Sequence, residues 1–239
     1  MKAVVRAGYG LWCWAIFLPI ALGALALALP APTLHLRRRI ARRGARTFFW
    51  LAGIPLDVRG LERLPEGVCV VVSNHSSYLD GVIMQAALPP RFAFVIKREM
   101  VRVPLAGLLL RRLGSEFVER TGGHQGGVDA RRVLRTAASG QSIAVFPEGT
   151  FDHRIGMHRF LPGAFVTAAR SGVPVVPAAI RGARHILPVE LMFPRRGRIE
   201  VEILDPIAAE GHPREVALHL RKAARAALLE RVGEPDLEA

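Results

Sequence analysis

The chain has 239 residues, 51% of them apolar and 22% charged, and its 33 Lys and Arg against 20 Asp and Glu give a formal charge of +13. That composition is too apolar for a disordered chain, no short repeat marks a fibre or solenoid, and the length suits one sizeable domain with additions. Two cysteines, with Cys13 inside an apolar run, exclude a disulfide framework, and no Cys/His cluster has zinc-ligand spacing. A reducing compartment is the simpler reading.

The charge is concentrated at one end: residues 1–56 carry eight basic side chains and no acid. Within them, residues 11–29 run for nineteen positions without a charge. As a helix this segment reaches about 28 Å at about 1.5 Å per residue, close to the hydrocarbon thickness of a bilayer. Trp12 and Trp14 stand at one end, and six Arg between positions 37 and 46 lie beyond the other, suited to anionic headgroups. A cleaved signal peptide is the rival reading, since Lys2 and Arg6 precede an apolar stretch with small residues near Ala26 and Ala28. The dense Arg cluster opposes export and places the rest of the chain in the cytosol. Pro19 allows a kink, which leaves open a helix lying in one leaflet.

A second helical stretch carries Phe48, Phe49, Trp50 and Leu51 on a basic amphipathic helix, and residues 53–67, with two Pro and three Gly, read as a linker. The main domain begins near Leu56. Apolar runs bounded by turn signals predict strands at 68–72, 92–96, 142–146, 173–180 and 198–204, the last alternating Ile199, Val201 and Ile203 with Glu200 and Glu202. Helical patterns occupy 127–138 and 213–232, where Val216, Leu220, Ala223, Ala227 and Leu228 share a face. This alternation predicts an α/β sheet flanked by helices over 56–239, behind a membrane-anchoring helical region at 1–55.

Directly after the 68–72 strand comes Ser73-Asn74-His75-Ser76-Ser77-Tyr78-Leu79-Asp80, which sets a histidine at a strand's carboxyl end, where α/β proteins keep their sites. His75 meets Asp80 only at a strand-turn-helix corner, with His75 in the turn and Asp80 a turn inside the helix. There the carboxylate fixes one ring nitrogen and leaves the other to take a proton from an alcohol; the plainer alternative is a helix cap at Ser73 or Asn74 with His75 incidental. No G-x-S-x-G elbow and no Cys-His pair occurs, which favours direct attack over an acyl-enzyme. A second block, 114–120, ends in Arg120, able to grip a phosphate, before a Gly-rich loop. In a third, Phe146-Pro147-Glu148-Gly149-Thr150, Gly149 allows close backbone approach, and the amides with the Thr150 hydroxyl suit an oxyanion. The fourth, Val173-Pro174-Val175-Val176-Pro177, has two Pro in an apolar run and predicts an edge strand.

Taken in order, these blocks resemble the lysophospholipid acyltransferase family, specifically bacterial 1-acylglycerol-3-phosphate acyltransferases, with their N-H-x4-D, G-x-x-F-x-x-R, F-P-E-G-T and V-P-x-x-P. Lys97, Glu99, Pro104 and Gly107 match the family's K-x-E, P, G pattern, and 181–184 resembles its post-strand G-x-R. The resemblance implies a glycerol-3-phosphate acyltransferase-like mixed sheet and acyl transfer from acyl-CoA or acyl carrier protein to lysophosphatidic acid, giving phosphatidic acid at the inner membrane. It implies His75 as general base and Asp80 as its partner. Asn74, Lys97, Arg120, Glu148, Gly149, Thr150 and Arg154 then serve the substrate, with no metal or cofactor. Two departures bear on the headgroup: Phe151 stands where many members have a basic residue, with Arg154, His158 and Arg159 the next available, and Glu116 replaces a usual apolar residue. Another lysolipid or amino-lipid acceptor is the alternative within the class. Outside it stand a catalytically dead scaffold, opposed by the intact His75 and Asp80, and nucleic-acid binding, opposed by the lack of aromatics among the Arg cluster.

Overall fold

The computed structural model describes residues 2–119, 135–137 and 139–238. Helices α1 (Lys2–Ala28) and α2 (Leu34–Leu51) precede strand β1 (Leu56–Arg59). Next come β2 (Val70–Ser73), α3 (Asp80–Ala87), β3 (Phe92–Lys97), α4 (Ala106–Arg112), β4 (Glu116–Val118) and β5 (Ser142–Val145). The chain closes with α5 (Gly163–Ser171), β6 (Val175–Arg181), the single turn α6 (Ala183–Ile186), β7 (Ile199–Ile203) and α7 (Pro213–Val232). The helix predicted at 127–138 lies outside the described residues except for Arg135–Ala137, which are helical.

Seven strands form one sheet in the order β1-β7-β6-β2-β5-β3-β4. β6, β2, β5, β3 and β4 are parallel, while β7 runs antiparallel to β6 and carries β1 parallel beside it. The sheet is mixed, and helices cover both faces. Strand alternation divides the core: Val71, Val176, Ala178 and Ile180 pack with Phe49, Ile83 and Ile186 on the face of α1, α2, α3 and α6, whereas Val70, Val72, Val175 and Ala179 meet Phe165, Ala168, Leu220 and Leu228 of α5 and α7.

Three expectations need correction. The run with two prolines is no edge strand: β6 lies between β2 and β7. Pro177 fits there because the ladder on the β7 side ends at that point. Leu204 N donates to Pro177 O at 2.9 Å, so only the reciprocal bond is missing, and the next pairing on that side joins Val175 to Ile207. The stretch read as a linker contains β1, whose edge position and short length hide it from periodicity. The arginines of α2 do not form one outward fan. Arg38 is 4% exposed and donates to Leu113 O at 2.9 Å, Arg91 O at 3.1 Å and Gln141 Oε1 at 3.0 Å. Arg42 and Arg46, one and two turns on, donate to the carbonyls of Ala86 and Ala87 at the end of α3, where the helix dipole favours a cation.

Helix α2 begins at Thr33, whose side chain accepts from Leu36 N at 3.2 Å. Helix α1 packs along it through Phe17 on Phe48 and through Gly44, which lies under Ile20 and Ala24. Pro19 lies inside α1 without ending it, and Arg6–Ala28 is long and apolar enough to cross a membrane by length and composition.

Burial lowers the Arg38 guanidinium to about 10. Arg38→Met is expected to cost about 2–4 kcal/mol, because three carbonyl partners lose their donor inside the protein. Chemical unfolding measures it, and a loss below about 1 kcal/mol would mean that water replaces the guanidinium.

Candidate active site

Strand β2 ends at Ser73, and residues 74–79 turn before Asp80 opens α3. The corner is tighter than the sequence spacing suggests, since Asp80 is the first helical residue rather than one turn inside. It is 0% exposed, and its Oδ2 accepts from Ser76 N at 2.6 Å, Ser77 N at 2.8 Å and His75 Nδ1 at 2.9 Å. A carboxylate at a helix N-terminus meets orphan amides and a favourable dipole. Because Asp80 Oδ2 accepts, His75 Nδ1 carries the hydrogen, and in the neutral ring the lone pair is on Nε2. Among the described residues nothing bonds to Nε2. The ring stacks on Phe146 at 4.3 Å and leans on Phe151 at 4.4 Å, with exposed Tyr78 beyond at 4.9 Å from Phe151. The surroundings of the imidazole are therefore largely aromatic.

The Asn74 amide is engaged by the backbone of β6. Its Nδ2 donates to Ile180 O at 2.9 Å and its Oδ1 accepts from Ile180 N at 2.8 Å, pinning the corner to β6. Glu148, 5% exposed, is likewise turned inward: Oε1 accepts from His75 N and Oε2 from His158 N, both at 2.7 Å. Burial pushes this carboxyl up to about 7, against the lowering effect of the two amides. Gly149 has φ 78, the left-handed region that suits glycine, and its N–H closes a turn onto Phe146 O at 3.1 Å. That amide is not available to an oxyanion, which leaves the exposed Thr150 as the polar group of the motif facing solvent.

The other predicted residues are more peripheral. Lys97, at the carboxyl end of β3, pairs with Glu99 at 3.0 Å on the surface. Arg154 pairs with Asp152 at 2.8 Å, which holds that carboxyl down to about 2, and Asp152 also reaches His158 Nε2 at 3.2 Å. Arg120 lies outside the described residues. Glu116 accepts from Thr136 Oγ1 at 2.7 Å. The structure thus joins His75, Asp80 and Glu148 in one bonded unit, with Asn74 tying the same corner to β6; Arg154 touches that unit only through the His158 ring, 3.4 Å away, and Lys97 is not joined to it. Sequence reading missed Phe146 as the shelf under the imidazole and His158 as a backbone donor. Phe146 is legible in its motif; His158 stands out in the sequence only for its charge, and no local pattern announces a main-chain bond ten positions away.

Glu148 also makes stability depend on pH. Its folded value near 7 stands above the ordinary 4.5, so the folded state binds the extra proton between those values and loses stability as pH rises through them. The penalty reaches about 3 kcal/mol above pH 7. Glu148→Gln is expected to remove this slope, so that thermal unfolding from pH 5 to pH 8 shifts in the variant's favour relative to wild type; parallel curves would refute the burial cost.

An acyltransferase family model matches residues 55–181, more than half of the chain. The chain is 31% identical over 216 residues to the 1-acyl-sn-glycerol-3-phosphate acyltransferase of Pseudomonas aeruginosa, covering 85% of this chain and 82% of that one. It is 28% identical over 250 residues to the lyso-ornithine lipid O-acyltransferase of the same organism, covering 95% and 90%. Mouse 1-acyl-sn-glycerol-3-phosphate acyltransferase alpha is 35% identical over 171 residues, 68% of this chain, and the match spans only 58% of the mouse protein. The fold is that of the 1-acyl-sn-glycerophosphate acyltransferase PlsC of Thermotoga maritima, with a TM-score of 0.76 at 20% identity over 95% of this chain and 98% of that one. The chain belongs to the acyltransferase family, among members of the 1-acyl-sn-glycerol-3-phosphate acyltransferase type.

Proposed function

We propose that the protein transfers an acyl group from a thioester donor, acyl-CoA or acyl carrier protein, to the free hydroxyl of a 1-acylglycerol-3-phosphate, forming phosphatidic acid. The observation that carries this reading is the 2.9 Å bond from His75 Nδ1 to Asp80 Oδ2, which leaves Nε2 unbonded beside an aromatic wall. In the reaction Nε2 takes the hydroxyl proton as the oxygen attacks the thioester carbon. The C–O bond forms, the C–S bond breaks, and the departing thiolate receives the proton from the imidazolium. The thioester is already activated, so alignment and one proton transfer suffice, and no acyl-enzyme forms. Asp80 orients the ring and stabilises its charged form. Glu148 and Asn74 hold the corner, and Thr150, Lys97, Arg154 and Arg120 are left to meet the polar parts of the substrates.

Residues 1–55 serve as the anchoring region and 56–239 as the transferase domain, at the cytosolic side of the inner membrane. An acceptor that resides in lipid is then reached without drawing its tail into water, a step that costs about 0.8 kcal/mol per methylene. A second reading, an ornithine-type lysolipid as acceptor, is favoured by the 95% coverage of the match to the lyso-ornithine lipid enzyme and by Phe151 in place of a basic residue.

Purified protein offered both acceptors with both donor types decides among these, and transfer to neither acceptor would sink the proposal. His75→Ala is expected to lower kcat by ~10² to 10⁴ with folding intact, and near wild-type turnover would remove the base. Arg120→Ala is expected to raise the KM for a phosphate-bearing acceptor, and an unchanged value rejects its role. Removing residues 1–30 is expected to release the protein from membranes partly or wholly, as read by sedimentation with vesicles; undiminished binding points to α2 or the domain surface.

A further inference from the structure

Residues 149–162 cross the mouth of the site carrying Phe151 and His158, yet contain no helix and only a single bridge residue, Met157. Their position is fixed from outside. Met157 N donates to Pro235 O at 2.9 Å and Leu237 N to Met157 O at 3.1 Å, a parallel bridge between Met157 and Asp236. Arg225 of α7, 8% exposed, donates to His158 O at 2.8 Å and Met157 O at 3.2 Å, lies over the Phe160 ring, and pairs with Asp236 and with Glu238. Arg184, just after β6, grips both oxygens of Glu234 at 2.8 and 2.9 Å and donates to Arg154 O and Gly156 O. A Cβ on Gly156 would meet the Leu237 side chain at 2.6 Å and Pro235 O at 2.8 Å, so the two segments touch with no slack.

We propose that residues 234–238 form a strap that sets the geometry of the base, acting through Met157 and His158 to hold the Glu148 carboxylate against the backbone of His75, so that Arg225, Glu234 and Asp236 are positioning residues for the transfer. The relay is continuous: strap to Met157, His158 N to Glu148 Oε2, Glu148 Oε1 to His75 N, and His75 Nδ1 to Asp80. It rests on the reading of His75 as the base. A displacement of about 1 Å at a reacting group costs up to about 10²-fold in rate, so the distant partners that hold Met157 and His158 have leverage over turnover.

Asp236→Ala loosens the strap while keeping Glu234, whose charge, like that of Asp80, raises Glu148, and keeping Arg184 opposite it. Gly156→Ala wedges loop and strap apart independently. In the full chain, both variants are expected to lower kcat about 10- to 100-fold while KM for donor and acceptor stays within about twofold. Amide exchange at His158 should accelerate, and Asp236→Asn should recover most of the rate. Wild-type kcat in both folded variants, a change confined to KM, or unchanged exchange at His158 overturns the strap. His75→Ala run alongside separates the two ideas: activity retained there rejects the base, whereas activity lost there and kept in Asp236→Ala rejects only the strap.

Discussion

A carboxylate with no solvent contact organises the chemistry of this fold. Asp80 Oδ2 gathers the amides of Ser76 and Ser77 and the imidazole of His75, all within 2.9 Å. Two backbone donors fix the oxygen before the ring arrives, so the imidazole meets a partner already in place, with one tautomer and one orientation imposed. In the proposed reaction this means that little reorganisation accompanies proton transfer. Asp80 also opens α3, so the group that orients the His75 ring is the group that complements that helix's dipole.

The sheet supplies the frame. β2 is central, flanked by β5 and β6, and both neighbours send a clamp to the corner at its carboxyl end. From β6, Ile180 gives both backbone groups to the Asn74 amide; from the turn after β5, Glu148 takes the His75 amide. Both clamps are bonded to backbone, and each sits inside a motif that reads as substrate-binding. Residues that recur beside a catalytic group include those that hold it, and a charged or amide side chain 5% exposed or less belongs to that class when its acceptors and donors are already matched.

Much of this was legible in the sequence. The five predicted strands and the closing helix appear at their predicted places, because long apolar runs and a clean alternation such as Ile199 to Ile203 encode burial directly. Spacing allowed His75 to meet Asp80 at a strand-turn-helix corner, but left a helix cap with an incidental His75 open; the ordered motifs, through the resemblance they carry, made the pairing the expectation. What stayed hidden was non-local. β1 and β4 are four and three residues long, too short for periodicity to register. Pro177 argued for an edge because sequence cannot show that a partner strand stops at the one register where a missing N–H does no harm. Glu148 looked like a ligand because the amides of His75 and His158 that satisfy it come from opposite sides in sequence.

The arginines of α2 give the same lesson in electrostatic form and bear on how the proposed anchor works. Counted in sequence, they form one basic block facing lipid headgroups. In the fold, Arg38, Arg42 and Arg46 recur every four residues and reach protein carbonyls, Arg46 while still exposed, which leaves Arg39, Arg43 and Arg46 open to solvent with Trp50, 77% exposed, at the helix's end. A basic side chain near an anionic surface contributes about 1 kcal/mol, so these three make a weak tether. Helix α1 exposes Leu11, Leu18 and Leu22 on one face, together with Trp12 and Leu27. At about 0.8 kcal/mol per buried methylene, even part of that surface exceeds what the remaining charges supply. The apolar helix therefore provides most of the anchoring energy in this reading, while the arginines of α2 mainly lock the anchor to the domain it serves.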